Sequence, residues 1–329
     1  MNSFGRFFRI SIFGESHGNS VGVLIDGCPP GIAVKPNDFT KDINRRKPGG
    51  KGTTTRTEED IPIIENGIFK GKTTGAPIHI RFENKNFDSK DYKKYIDFPR
   101  PGHADFTTKM KYKGFNDFRG GGHFSGRLTL GLVAAGVIAK KIIHPIKINA
   151  KLMSAGGSKN ITKAVNEAVI EGDSIGGLIE CKAINIPVGF GEPFFDSVES
   201  VISHIVFSIP AIKGIEFGTG LKAAEMKGSE FNDAFINAKG KTETNNSGGI
   251  NGGITNGNPL IFKIAVKPPS GISLPQKTFN FKKKKMDKLI IKGRHDSCIA
   301  LRMPVIVEAA TAIALADFKL INLTYQLNK

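Results

Sequence analysis

GRHDSCIALRMPVIVEAATAIALADFKL (293–320) is the stretch on which the fold turns. From Pro304 onward it is apolar on almost every side. Pro304 suits a first helical turn, where its missing N–H would have had no intrahelical partner. A helix that is apolar all round has no face for solvent, so other elements must cover it. Just ahead of it stand Arg294, His295, Asp296 and Arg302. Residues of this kind are rarely buried unless paired, and a solvated loop would not need that selection. The chain therefore carries ionisable groups to the mouth of a buried helix.

Working outward, the remaining elements are mixed α and β. FFRISIF (7–13), VGVLID (21–26), PIHIRFE (77–83), GGLIECKAINIPV (176–188) and NPLIFKIAVKPPS (258–270) read as strands, PIHIRFE by its alternation. TLGLVAAGVIAKKII (129–143) reads as a helix with lysines near its end, where the dipole favours cations. ITKAVNEAVIEGD (161–173) is an amphipathic helix stopping near Gly172. DSVESVISHIVFS (196–208) is a helix opened by Asp196 and Glu199 in capping-box spacing. Residues 47–60, 98–126 and 241–258 lack periodicity, yet charged and aromatic residues sit among their glycines. That predicts ordered, ligand-facing loops.

Composition narrows the function. A chain of 329 residues allows one large or two ordinary domains. No apolar run reaches the roughly 18–20 residues that span a bilayer. Glu15 and His17 interrupt the layout a signal peptide would need. Cys28, Cys181 and Cys298 form no CxxC pair, which argues against a disulfide framework and a zinc ribbon. The expectation is a soluble cytoplasmic protein with reduced thiols and no membrane partner.

The formal net charge of +17 raises the alternative of a basic nucleic-acid-binding protein. Most of the 47 basic residues are lysines, as in FKKKKMDK (281–288). That is a composition bias rather than a polyanion groove, so no nucleic acid is expected as partner. Arginine is sparse. Apart from Arg81, it occurs at Arg6, Arg9, Arg45, Arg46, Arg56, Arg100, Arg119, Arg127, Arg294 and Arg302. Where lysine supplies general charge, arginine marks places that want a planar bidentate fork.

Four segments concentrate this chemistry. GESHG (14–18) offers His17 between two strands, as a turn residue or as an acid beside an anion. RPGHAD (100–105) sets His103 in a loop stiffened by proline. RGGGHFSGR (119–127) leads into a helix, whose first N–H groups make an anion site. GRHD (293–296) places Arg294 as an anion clamp and Asp296 as a proton or hydrogen-bond acceptor. Walker A and dinucleotide fingerprints are missing, as is a metal-ligand set. His79, His144 and His204 stand isolated in strand or helix patterns and read as structural. Together these segments describe a site for a multiply anionic small molecule with acid–base help, and leave the reaction open.

GESHGNSVGVLIDGCPPG (14–31), RPGHADFTTKMKY (100–112), RGGGHFSGRLT (119–129), NNSGGINGGITNG (245–257) and GRHDSCIALRMPVIVEA (293–309) resemble, in order and spacing, the signature segments of the chorismate synthase family. The resemblance runs from about Gly5 to Asp317. It implies an α+β fold, a β-α-β sandwich with helices packed between largely antiparallel sheets, as a single domain over 1–329 in a homotetramer. It implies a carbon–oxygen lyase of the shikimate pathway. The reaction would be anti-1,4-elimination of phosphate from 5-enolpyruvylshikimate 3-phosphate, giving chorismate. The cofactor would be reduced FMN (FMNH2), with no net redox change. Flavin could be reduced by the NADPH-dependent activity that some members carry or by an external flavin reductase; the missing dinucleotide fingerprint favours the external source.

By the same resemblance, His17 would protonate the departing phosphate, His103 would keep the flavin suitably protonated, and Asp296 would serve the proton relay. Arg46, Arg100 and Arg294 would bind substrate anions, with Arg45, Lys51 and Arg127 close by. FMN would be held by His123, Phe124 and Ser125, by Pro210 and Ala211, by Gly252, by Lys267, Pro268, Pro269, Ser270 and Gly271, and by Arg294. The chain departs from the family at His123, where many members have arginine, and after RRKPGG, where many carry an arginine and this chain offers Lys51 or Gly52. The 147–165 segment is shorter than usual and the part after Asp317 is brief. An inactive family-like binding subunit is the other alternative; intact His17, His103 and Asp296 argue against it.

Overall fold

Two antiparallel sheets face each other across two central helices. The computed structural model describes residues 2–56, 58–86, 89, 92–291, 293 and 295–325. The first sheet contains β1 (Ser3–Phe4), β2 (Arg9–Gly14), β3 (Ser20–Asp26), β4 (Ile63–Asn66) and β5 (Ile78–Glu83), in the order β1-β2-β3-β5-β4. The second contains β6 (Lys147–Ala155), β7 (Gly177–Ile184), β8 (Ile212–Phe217) and β9 (Leu260–Val266), in the order β8-β9-β7-β6. Register is fixed by pairs such as Val23 with Ile80 and Cys181 with Phe262, whose side chains share the buried face. The α+β sandwich expected from the resemblance is the observed arrangement.

Of the helices α1 (Thr40–Arg46), α2 (Asp105–Lys111), α3 (Thr129–Ile142), α4 (Ile161–Glu171), α5 (Val198–Phe207) and α6 (Pro304–Thr324), α3 and α6 fill the middle layer. α3 lies on the first sheet and α6 on the second. Small residues allow this close stacking. A Cβ on Gly136 would run into Ala309 of α6, and one on Gly131 would press on the Gly22 carbonyl of β3. Val305 to Phe318 are all buried, as the apolar pattern requires.

Two carboxylates interrupt that helix, and both are fully engaged. Glu308 accepts from Arg45 Nη1 (2.6 Å) and Nη2 (2.7 Å), from Lys140 Nζ (3.2 Å) and from the Ala150 N–H (3.0 Å). Asp317 accepts the backbone N–H groups of Arg6, Phe7 and Phe8. These contacts tie α1, α3, β6 and the N-terminal segment to the central helix.

The structure also corrects details of the sequence reading. The N-cap of α5 is Ser197, whose hydroxyl accepts from the Ser200 N–H, while Asp196 pairs with Arg6. β4, β6 and β8 are strands that periodicity missed, because they are short or alternate imperfectly. The 147–155 segment is a full member of the second sheet. Residues 276–289 form a hairpin, β10 (Gln276–Asn280) with β11 (Lys285–Leu289), and Lys282 to Lys284 sit at its exposed tip.

Candidate active site

The N-terminal end of α3 and the 299–302 turn that leads into α6 open on one cavity of about 1030 Å³. Its walls come from the turn after β2, from the 48–60 and 92–104 segments, from the 120–129 approach to α3, and from the 267–271 and 293–302 segments. The N-terminus of α3 therefore adds partial positive charge to that space. Of the three aperiodic stretches, 47–60 and 98–126 face this cavity. The 241–258 stretch does not: it folds around Asp233, which accepts from Thr244, Asn246 and Ser247.

Arg46, Arg56, Arg127 and Arg302 line the cavity together. Arg46 is buried, donating to Thr129 Oγ1 (3.1 Å) and to the carbonyls of Gly126 (3.2 Å) and Arg127 (3.3 Å). Asp60 lies 3.6 Å from Arg46 and 2.9 Å from Arg127, the latter an ion-pair contact rather than an aligned hydrogen bond. Burial, and then the charges of Arg302, Arg127 and Arg56, push Arg46 down to about 9 against the opposing pull of Asp60. It remains a cation at neutral pH. Arg302 donates to Asp296 Oδ2 (2.7 Å), yet its buried Nε has no hydrogen-bond partner among the described residues. Asp296 Oδ1 accepts the Thr54 N–H (3.0 Å). Glu58, which also lines the cavity, accepts from Arg56 Nη2 (2.7 Å), so four arginines face the three carboxylates Glu58, Asp60 and Asp296, and the one cation in excess is costly unless an anion completes it.

His17 is buried with Nδ1 2.9 Å from Ser89 Oγ and its ring edge-on to Tyr92. Gly120, at φ 57°, passes so close to that ring that any Cβ would strike it. His103 Nδ1 is 2.7 Å from Asp105 Oδ1. The Arg100 guanidinium binds the same carboxylate through Nε (2.7 Å) and Nη2 (2.8 Å) and lies over the Tyr95 ring. Burial alone would raise Asp105, but the hydrogen bonds from Arg100 and His103 outweigh it and hold the group well below the usual carboxylate range. Lys267 Nζ and Ser270 Oγ both donate to the Gly102 carbonyl at 2.7 Å, which fixes the His103 loop to the end of β9. Burial, with Lys213 nearby, lowers Lys267.

The structure thus gathers His17, His103, Asp296, Arg46, Arg100, Arg127, His123, Phe124, Ser125, Pro210, Ala211, Lys267, Pro269, Ser270 and Gly271 around one space. Others fall elsewhere. Arg45 points into the Glu308 cluster. Lys51 is exposed on the loop, away from the cavity lining. Gly252 turns a short ribbon packed on the start of α5, where a Cβ on Gly253 would meet Ser197. Pro268 is not among the described lining residues, though both its neighbours are. Arg294 lies outside the described residues. His204, read as structural, lines the cavity with its ring against Phe4. Asp60, Tyr92, Tyr95 and Asp105 were missed. Arg56 and Arg302 carried a signal in the scarcity of arginine, and Asp105 carried one in its spacing from His103. Asp60 had none, because a single acid in an aperiodic loop is indistinguishable from a solvated one.

The family model described as Chorismate synthase matches residues 8–320. A chorismate synthase of Chitinophaga pinensis is 60% identical over 98% of this chain and 97% of its own length. The chain belongs to the chorismate synthase family. A chorismate synthase of Pyrococcus abyssi is 44% identical over 98% of this chain and 99% of its own. A solved chorismate synthase structure superposes with a TM-score of 0.75 at 26% identity, covering 97% of this chain and 93% of that one. Membership of the chorismate synthase family makes the chain a lyase and gives the cation-rich cavity a chemical context.

Proposed function

We infer that the chain eliminates phosphate from 5-enolpyruvylshikimate 3-phosphate to form chorismate, and that this cavity is where it does so. The observation that carries the assignment of the site is the convergence of Arg46, Arg56, Arg127 and Arg302 with two histidines in one partly enclosed space. The substrate carries two carboxylates and a phosphate, anions that arginines outnumbering their carboxylate partners can bind. Arginine forks bind these groups bidentately and fix their orientation. His17, held by Ser89 and Tyr92, is placed to give a proton to the departing phosphate. Asp296, oriented by Thr54 and Arg302, is placed to accept one.

The residues present fit reduced FMN beside the substrate. At about 300–1,000 Å³ for ordinary ligand pockets, this cavity is large enough for two molecules. Leu128, Leu132, Ala211 and Ile299 provide an apolar wall for a flat ring system, and Lys267 with the His123–Ser125 turn provides polar groups for a phosphate-bearing chain. When bound, reduced flavin supplies transient electron donation without net oxidation. His103 would hold or release a proton next to it, and the surrounding apolar wall would keep water out.

The finer parts of this reading are a single catalytic unit, a homotetramer and reduced flavin from a separate reductase. Exposed Phe194, Phe195 and Leu221 provide apolar surface that subunit contacts would cover. The test is an anaerobic assay of purified protein with substrate and chemically reduced FMN, following chorismate absorbance and phosphate release together. Both should rise, and only with reduced flavin. Folded protein that binds FMN but forms neither product would overturn the assignment.

A further inference from the structure

We propose that Asp105 is a positioning residue that locks His103 and Arg100 into one rigid unit and fixes the imidazole tautomer, so that Nε2 is the ring nitrogen left for proton exchange. The inference rests on the reading of the cavity as the reaction site. Its structural part stands on the RPGHAD loop alone.

The Asp105 carboxylate is almost wholly withdrawn from solvent, with its side chain 8% exposed. Four donors converge on it. Oδ2 accepts the Arg100 backbone N–H (3.1 Å) and Arg100 Nε (2.7 Å), while Oδ1 accepts Arg100 Nη2 (2.8 Å) and faces His103 Nδ1 (2.7 Å). A carboxylate has about four lone-pair sites, so these donors saturate it. An ionised carboxylate only accepts, hence Nδ1 must carry the proton in this contact. Arg100 Nη2 also approaches Nδ1 at 3.1 Å; a guanidinium only donates, so that contact by itself favours a bare Nδ1, but a ring lone pair turned toward an ionised carboxylate oxygen at 2.7 Å would be repelled, and that closer charge sets the tautomer. In the neutral ring Nε2 is then the unprotonated nitrogen. A Cβ at Gly121 would lie 3.7 Å from that nitrogen, so the glycine leaves it uncovered.

The same carboxylate aligns Arg100. With Nε and one face of Nη2 committed to Asp105, and the plane over Tyr95, the guanidinium cannot swing. Gly102, at φ 67°, makes the turn possible, and its carbonyl is held by Lys267 and Ser270. The other charged groups nearby are Lys109 and Asp117, which line a small cavity of about 80 Å³ behind the loop together with His103 and Asp105. Neither is recorded in a hydrogen bond or ion pair with His103. Asp105 therefore fixes the tautomer.

Asp105→Asn tests this. The amide is nearly isosteric but turns a donor toward Nδ1, which reverses the tautomer and puts the proton on Nε2. The logic matches that of the histidine-orienting aspartate in serine proteases, where the wrong tautomer lowers kcat by about 10⁴. Here kcat should fall by at least about 100-fold, within the span of a single acid–base contribution. The deciding readout is ¹⁵N NMR of His103 in the full-length protein without substrate. The parent should show a protonated Nδ1 and a bare Nε2, and Asp105→Asn the reverse. Asp105→Glu, which keeps the charge, should retain the parental tautomer and recover part of the turnover.

A bare Nδ1 in the parent, or an unchanged tautomer in Asp105→Asn, overturns the proposal. If Asp105→Asn fails to fold, the parental and Asp105→Glu spectra still decide. A correct tautomer in a protein that forms no chorismate would overturn the functional reading and leave the positioning role standing.

Discussion

Gly120→Ala tests the placement of His17. Gly120 sits in the left-handed region at φ 57°, and a Cβ there would fall inside the contact distance of His17 Cδ2 and Nε2 and 2.9 Å from Ser16 Oγ. Left-handed backbone costs a non-glycine residue about 1–2 kcal/mol, so stability should fall by that amount. The clash is relieved only by moving the imidazole about 1 Å, a displacement that can cost about 100-fold in rate. That is about 2.7 kcal/mol of barrier. The assay pairs kcat/KM for chorismate formation with urea unfolding and the Kd for FMN. The FMN Kd is needed because Gly120 shares the 120–129 wall with the His123–Ser125 turn proposed for FMN, and an unchanged Kd assigns the loss to His17. Turnover within about threefold of the parent, alongside the expected loss of stability, would refute the assignment of His17 as the proton donor.

Four further outcomes follow from the placement of the charges. Glu308→Gln should destabilise the fold by about 3 kcal/mol, the low end for breaking a buried pair, because Asp42 still faces Arg45 and Lys140; urea unfolding measures it. Asp105 and Glu308 are held below their ordinary values of 3.8 and 4.5, so their contribution is fully present above those values and lost as pH falls through the lower folded ones. The urea midpoint should therefore be flat from neutrality to about pH 5 and decline below it. Asp60→Asn removes a counter-charge from Arg46 and Arg127, so thermal stability should drop without added anion and inorganic phosphate should restore more of it than in the parent. Lys51→Ala should leave kcat/KM within about twofold, as surface lysines away from a site are screened, and a larger loss would bring the 47–60 loop into the cavity in the working state.

The legibility of this chain was uneven for physical reasons. Apolar periodicity identified α3, α6 and the long strands, because burial imposes it directly on sequence. It could not find β4, β6 or β8, whose pairing depends on partners far along the chain. Scarce arginine singled out the right segments, because a buried fork is chosen for geometry. It could not tell Arg46, which faces the cavity, from its neighbour Arg45. One helical step of about 100° separates them, and only the position of Glu308 on α6 shows that Arg45 turns inward to a structural partner.

By itself, the sequence determined the buried central helix, the mixed α and β architecture and the identity of the motif segments, since each is written in local pattern. Tertiary structure decided which charges meet. Arg46, Arg56, Arg127 and Arg302 are up to 256 residues apart in the chain and share one cavity because α3 and α6 stack between the sheets with their N-termini at the same end. Asp60 and Asp105 acquire meaning only there. A carboxylate's role is set by the donors around it, and those donors are assembled by packing.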